Sequence, residues 1–283
     1  MPELPEVETI RRDLEPLILG RRITNVDVDP ATIHLLVGAP IETLRENLIG
    51  RTIEAVRRRG KYLMLGLDDG RWLVIHLRMT GRLIWRTREA PDEQYQRAKI
   101  ELDNGYDLRW SDLRKFGTWR LHESAAEVID KLGPEPIDAA LTLKIFRERL
   151  ANRTAAVKAV LLDQRRFAGL GNIYVDEALY EAGIRPDTPA GMLSPAAIKR
   201  LFASSRSVLE RGIENRGASF KDYVDGQGEP GSQHMHVQVF RRTGKPCYAC
   251  GSEIRRTIVG GRSTHWCPKC QPKSRMKAVT SGR

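Results

Sequence analysis

The chain has 283 residues, enough for about two domains that each bury a core without staples, which excludes small-scaffold explanations. With 41% apolar and 29% charged residues and a mean hydropathy of −0.42, it reads as globular, neither disordered nor collagenous. No apolar run approaches the ~18 residues of a membrane span, and Met1-Pro2-Glu3 lacks the basic start of a secretory signal, so a soluble, cytoplasmic protein is expected. The formal charge is +11, from 47 basic and 36 acidic side chains, which makes an acidic partner such as nucleic acid the leading class. Between Val239 and Arg283 stand eleven Lys or Arg against Glu253 alone, a net +10 that leaves +1 for everything before it.

The first predicted element is a helix. Pro5 suits its first turn, acids crowd its N-terminal end, and Val7, Ile10, Leu14, Leu17 and Ile18 recur at three and four residues. Proline is small at the second position, so removal of Met1 is expected, leaving the secondary amine of Pro2 as the start. An α-amino group of pKa ~7.7–8.0 is free in roughly a tenth to a fifth of molecules at pH 7, against fewer than about one in a thousand for lysine. That gap of about 2.5 units is worth roughly 3.4 kcal/mol of nucleophile availability. Proline's ring raises this basicity, and the positive end of a helix lowers it. A secondary amine adding to an aldehyde-level carbon gives an iminium that is cationic without further protonation. Glu3 and Glu6 stand within one turn as general acid and base. The alternative is an ordinary acidic cap on a processed terminus.

From about Ile23 to Leu121 the chain is rich in short β-like runs, such as Tyr62–Leu67 and Trp72–Leu77, separated by Asp-Gly and Asn-Gly turns. A β-sandwich flanked by helices is expected. Leu132-Gly133-Pro134-Glu135-Pro136 reads as a linker, and helical patterns dominate from Thr142 to about Gly217. Within them, Gly169-Leu170-Gly171-Asn172 is a weak phosphate signal without nucleotide-cofactor context, so no such cofactor is expected. Ser219 to Gly231, polar and carrying three glycines, reads as a mobile segment or as a plain connector. The chain has no internal repeat.

The last predicted element holds all four cysteines. Cys247, Cys250, Cys267 and Cys270 spell C-x2-C-x16-C-x2-C, two close pairs that bite one tetrahedral zinc while the excursion between them folds back as a hairpin. Four thiolates leave no open position for substrate, so the ion is structural; the alternatives are disulfides or unrelated buried thiols. His265 is a competing ligand or, as expected here, an exposed hairpin residue. Thr257 to Thr264 alternates β-formers around Gly260-Gly261, which places Arg262 near the tip, suited to a nucleic-acid groove or simply solvated. Zinc modules of this spacing argue for nucleic acid and not for any one reaction.

Pro2-Glu3-Leu4-Pro5-Glu6-Val7-Glu8-Thr9, Gly171-Asn172-Ile173-Tyr174 with Asp176-Glu177, and the four-cysteine module together resemble the formamidopyrimidine-DNA glycosylase family, bacterial enzymes that excise oxidised purines. The resemblance runs to about Gln271. It implies an α+β multidomain fold: an N-terminal β-sandwich flanked by helices (1–132), a helical helix-two-turn-helix domain with a lesion loop (133–238), a zinc-finger β-hairpin (239–271) and a basic tail (272–283). Pro2 then resembles the nucleophile that displaces the damaged base at C1′ and forms the Schiff base, with Glu3 assisting deoxyribose opening and Glu6 supporting lesion and sugar binding. Lys61 resembles the family's hairpin lysine that grips phosphate, a duty shared by His76, and Lys158 resembles the lysine linked to oxidised-purine processing. Met79, Arg114 and Phe116 resemble the trio that fills the void left by base extrusion. Lys115 within that turn, Asn172 at the helix-two-turn-helix and Arg262 at the finger tip complete the expected DNA contacts.

The implied activity is removal of 8-oxoguanine and formamidopyrimidines from duplex DNA, then strand cleavage by β,δ-elimination, by a monomer at the bacterial nucleoid. An endonuclease VIII-like enzyme for oxidised pyrimidines and a non-catalytic zinc-containing DNA-binding protein are the rivals. Leu4 and the Lys158 context lean against the former. Two departures stand out. Phe240-Arg241 occupies the place of an expected Tyr-Gly pair, and Pro272 to Arg283 adds a basic extension.

Overall fold

The computed structural model describes residues 1–36 and 40–273, so most of the basic tail, residues 274–283, lies outside the described residues. The chain divides into two compact units, one of residues 1–133 with 209–236 and one of residues 134–208 with 237–283.

In the first unit, helix α1 (Leu4–Ile18) begins at Glu3, whose own amide donates to the Glu6 carboxylate at 2.8 Å, one half of a capping box. Its apolar stripe, Val7, Ile10, Leu14 and Ile18, is fully buried. Strands β1 (Ile23–Val28), β6 (Gln96–Leu102), β7 (Tyr106–Asp112) and β5 (Gly81–Thr87) form one antiparallel sheet. Strands β2 (Ile53–Arg59), β3 (Tyr62–Leu67), β4 (Trp72–His76) and β8 (Thr118–His122) form the other. Inward residues of both sheets share one core with α1 and α2 (Ile41–Leu48), including Ile23, Ile100, Leu108, Leu63, Ile75 and Leu83. Trp110 of β7 meets Trp119 of β8 edge to face at 5.8 Å. The expected sandwich with flanking helices is therefore observed. The outer face of β3 and β4 is covered too: Met64 and Val74 pack against Val128 of the short helix α3 (Ala126–Ile129), which is why β3 reads as a continuous apolar run.

The second unit is helical, then zinc-finger-like. Helix α4 (Leu143–Leu150) starts at Thr142, whose hydroxyl accepts from the Ile145 amide. Helices α5 (Val157–Leu162) and α6 (Asn172–Glu181) follow. Helix α7 (Pro195–Glu214) begins in this unit, and its residues from Leu209 onward belong to the first. Strands β9 (Arg255–Val259) and β10 (Arg262–Trp266) pair antiparallel around Gly260 and Gly261, both at positive φ, as the Gly-Gly signal predicts. Among the described residues no helix is long and apolar enough to cross a membrane.

Candidate functional site

The start of α1 packs closely. Pro2, Glu3 and Glu6 are all buried. Glu6 uses both carboxylate oxygens: one accepts the Glu3 amide at 2.8 Å and the other the Ala218 amide at 2.8 Å. Tyr223 donates its hydroxyl to the Glu6 carbonyl at 3.3 Å. The helix terminus and the start of the 219–231 segment are thereby one hydrogen-bonded assembly. Two residues further on, Glu8 receives Arg11, Arg12 and Arg58. Burial pushes its carboxyl up, but the hydrogen bonds of Arg11 and Arg12 and the charge of Arg58 outweigh it, bringing the group down to about 2. Arg58 also donates to the Gly60 carbonyl at 3.0 Å and so holds the β2–β3 turn that carries Lys61.

His76 is the cross-strand partner of Tyr62 and meets its ring edge to face at 4.6 Å. Its Nδ1 accepts the Arg78 amide at 2.9 Å, which leaves the ring proton on Nε2. Burial first, then the charges of Arg78 and Lys61, push its pKa down to about 3, so the ring is neutral at physiological pH.

The expected void-filling residues come together on two turns. Met79 and Phe116 are 41% and 50% exposed, unlike the core residues their type suggests. The Arg114 guanidinium stands 4.7 Å over the Phe116 ring, and its Nη1 lies 3.0 Å from the Met79 sulfur. Lys115 takes a left-handed φ of 55° beside them. The fastener of these turns is Asp112, which sequence reasoning missed. It accepts Thr80 and the amides of Arg114 and Gly117, while Thr80 also accepts the Arg114 amide at 3.0 Å. Gly117 is required, because a Cβ there would lie 2.1 Å from the Trp110 ring. The only advance sign was its place at the end of Asp112-Leu113-Arg114-Lys115-Phe116-Gly117.

In the second unit, Lys158 is enclosed rather than exposed. It is 0% exposed; its ammonium lies 2.6 Å from Asp176 and 2.9 Å from the Ser263 carbonyl, so it is enclosed between α6 and the finger hairpin. Asn172 donates to the same carbonyl at 2.9 Å. The expectation that His265 is an exposed hairpin residue is corrected: it is 5% exposed, because Asp176 accepts both its amide at 2.9 Å and its Nδ1 at 3.1 Å. Arg262, the next residue but two before it, is exposed at the tip. Glu177 accepts three successive amides, Gln238, Val239 and Phe240, and thus fixes the entry to the finger through backbone alone. Arg241 sits there at φ 57°, strained where a glycine would be at ease.

The four cysteine sulfurs lie within 4.8 Å of one another, with Cys250 to Cys267 at 3.4 Å and Cys247 to Cys270 at 3.8 Å. A tetrahedron with Zn–S bonds of ~2.3 Å has edges of about 3.8 Å, so the set fits one zinc ion held by all four thiolates. Hydrogen bonds from Ser252 hold the Cys250 thiol down to about 6. Tyr180 reaches Cys247 at 3.2 Å, and Gln271 ties the Cys267 amide to the Ile184 carbonyl. The ion would supply no chemistry beyond holding the hairpin.

Comparison with known proteins agrees with this geometry. The chain matches the formamidopyrimidine-DNA glycosylase N-terminal domain over residues 1–119 and the formamidopyrimidine-DNA glycosylase H2TH domain over 132–223. Residues 244–273 match the zinc finger found in FPG and IleRS. It is 42% identical to the formamidopyrimidine-DNA glycosylase of Pelotomaculum thermopropionicum, over 96% of this chain and 99% of that one. It is 45% identical to that of Symbiobacterium thermophilum, over 96% and 90%. Among solved structures, the complex of Lactococcus lactis Fpg with abasic-site DNA superposes with a TM-score of 0.88 at 39% identity, covering 96% of this chain and all of that one. The complex of the same enzyme with N7-benzyl-Fapy-dG DNA gives 0.89 at 38%, with the same coverage. With matched models spanning most of its length and relatives above 40% identity end to end, the chain belongs to the formamidopyrimidine-DNA glycosylase family.

Proposed function

We propose that this protein removes oxidised purines, 8-oxoguanine and formamidopyrimidines, from duplex DNA and then cleaves the abasic strand by β,δ-elimination. The observation that carries the reading is the buried Pro2-Glu3-Glu6 terminus fastened to Ala218 at the root of the 219–231 segment. After loss of Met1, the Pro2 amine attacks C1′, the base departs with the glycosidic electron pair, and the proton that the nitrogen sheds passes to the departing base. Glu3 protonates the sugar ring oxygen as it opens. The resulting iminium withdraws electrons while a base takes a C2′ proton and the 3′ phosphate leaves; a second elimination releases the 5′ phosphate. Glu6 supports sugar and lesion, and the 219–231 segment closes over the extruded base.

Lys61 and neutral His76 grip phosphate, the former by charge and the latter through Nε2–H. Met79, Arg114 and Phe116 fill the gap in the duplex, supported by Lys115. Asn172 and Arg262 contact the backbone, and Lys158 acts through them by holding the Ser263 carbonyl and Asp176. We assign the sandwich (1–132) to catalysis, residues 133–238 and the finger (239–271) to DNA grip, and the tail (272–283) to electrostatics, in a cytoplasmic monomer acting at the nucleoid. Borohydride reduction on 8-oxoguanine duplex tests this: a covalent adduct on the N-terminal peptide is expected, and no adduct sinks the assignment. Faster excision of an oxidised thymine than of 8-oxoguanine opposite cytosine would favour the pyrimidine-specific relative.

A further inference from the structure

Helix α1 carries a second acid on the face that Glu6 occupies. Asp13 follows Glu6 by seven residues, two turns and about 10 Å along the axis. It is nearly buried, as is Asp225 in the 219–231 segment, and one guanidinium serves both. Arg216 Nη2 lies 2.8 and 2.7 Å from the two Asp13 oxygens and also donates to Asp225, which its Nε reaches at 3.1 Å. Arg216 adopts a left-handed φ of 56°, uncommon for a residue other than glycine. Both aspartates raise its pKa.

The same carboxylates continue into the loop backbone. Asp13 accepts the Gly226 amide at 3.1 Å, and Asp225 accepts the amides of Gln227 and Glu229, each at 2.9 Å. The fit is close enough to need glycine: a Cβ at Gly226 would stand 2.9 Å from the Asp13 Cβ. On its other side the loop is held by strand β5, where the Trp85 amide donates to the Gly226 carbonyl and Arg86 to the Gln227 carbonyl. The half from Asp225 to Glu229 is thus fixed from three directions. Ser219 to Asp222, with Lys221 exposed, is held instead by side chains and rings: Ser219 donates to the Tyr223 carbonyl and accepts the Gly231 amide, Phe220 meets the His234 ring, and Arg82 donates to the Asp222 carbonyl.

We propose that Asp13 and Arg216 are positioning residues for base excision: they fix the root of the lesion loop on the helix whose first residue after Met1 is the nucleophile, so that Ser219 to Asp222 alone moves over the extruded base. This rests on the proposed closure of that segment over the lesion. The consequence is a split between two steps of one enzyme. Excising a base requires the loop to hold it, whereas an abasic site presents no base to hold.

Asp13→Asn and Arg216→Met, with Arg216→Lys as the variant that keeps charge but loses the fork, are to be assayed on two duplexes. Single-turnover excision of 8-oxoguanine is expected to fall about tenfold or more, while borohydride trapping on a preformed abasic site stays within about twofold. Amide hydrogen exchange over residues 217–231 is expected to quicken in the variants more than it does elsewhere in the protein. Unchanged excision, or equal falls in excision and trapping, overturns the proposal. A wild-type protein that traps abasic DNA but excises no oxidised purine refutes the substrate reading instead, and unchanged exchange over 217–231 would then still refute the clamp.

Discussion

Replacing His76 with Gln tests the electrostatics of the turn proposed to grip phosphate. The ring is 7% exposed, accepts the Arg78 amide through Nδ1 and is held neutral, its pKa lowered from 6.5 to about 3 by burial and then by Arg78 and Lys61. A folded pKa below the unfolded one means that acid favours the unfolded chain, which takes up a proton the native ring refuses. The loss therefore begins as pH falls below about 6.5 and continues to about 3. At about 1.4 kcal/mol per unit, the native state gives up about 2 kcal/mol between pH 7 and pH 5 through this residue. Glu8, whose folded pKa is also depressed, adds its loss only below its ordinary 4.5, so the window isolates His76 from it. Gln keeps an acceptor for Arg78 and an N–H donor but does not titrate. Guanidinium unfolding at the two pH values is expected to show a wild-type loss about 2 kcal/mol larger than that of His76→Gln. Equal losses would mean that the native ring protonates freely, and the neutral-donor reading would fail with it.

Removing one member of the Lys158–Asp176 pair leaves a buried charge uncompensated, so Lys158→Met is expected to cost about 3–5 kcal/mol and lower the melting temperature on the order of 10 °C. Calorimetry of the zinc-loaded protein checks this, and Lys158→Met with Asp176→Asn should recover part of the loss; a single-variant cost under about 1 kcal/mol contradicts the burial argument. Arg262→Ala should weaken binding to all duplex sequences and flatten the log-log salt dependence by about 0.9 for the one phosphate contact removed, as read by titration at several salt concentrations. A form that retains Met1 should lose abasic-site cleavage while keeping most of its duplex affinity; an active form with Met1 in place, verified by mass spectrometry, contradicts the assigned nucleophile.

What the sequence made legible were the features written locally. The stripe of Val7, Ile10 and Leu14 gave α1, the Gly260-Gly261 turn gave the finger hairpin, and the cysteine spacing gave a four-sulfur cluster. What it hid were partnerships across long chain separations. Nothing near His265 announces Asp176, 89 positions earlier, yet that carboxylate turns an apparent surface residue into a buried one. Lys158 has the composition of a surface helix residue until Asp176 and Ser263 enclose it. Asp112 looked like flanking sequence because its role lies in amides and a hydroxyl, which carry no residue signature. The 219–231 segment reads as mobile from glycine and polarity alone, whereas Gly226 is there because Asp13 stands against it.

The acids of α1 fasten several segments of the first unit to one helix. Glu6 fastens Ala218, Glu8 fastens Arg58 and through it the turn of Lys61, and Asp13 fastens Arg216 and Gly226. Each of these carboxylates holds a different segment of the first unit to one rigid element. Net charge is distributed quite differently: of the +11 of the chain, the segment from Val239 to Arg283 carries +10, with Glu253 as its one acid. Salt should weaken duplex binding far more than it weakens the Glu8–Arg58 ion pair of α1, whose two side chains are both nearly buried.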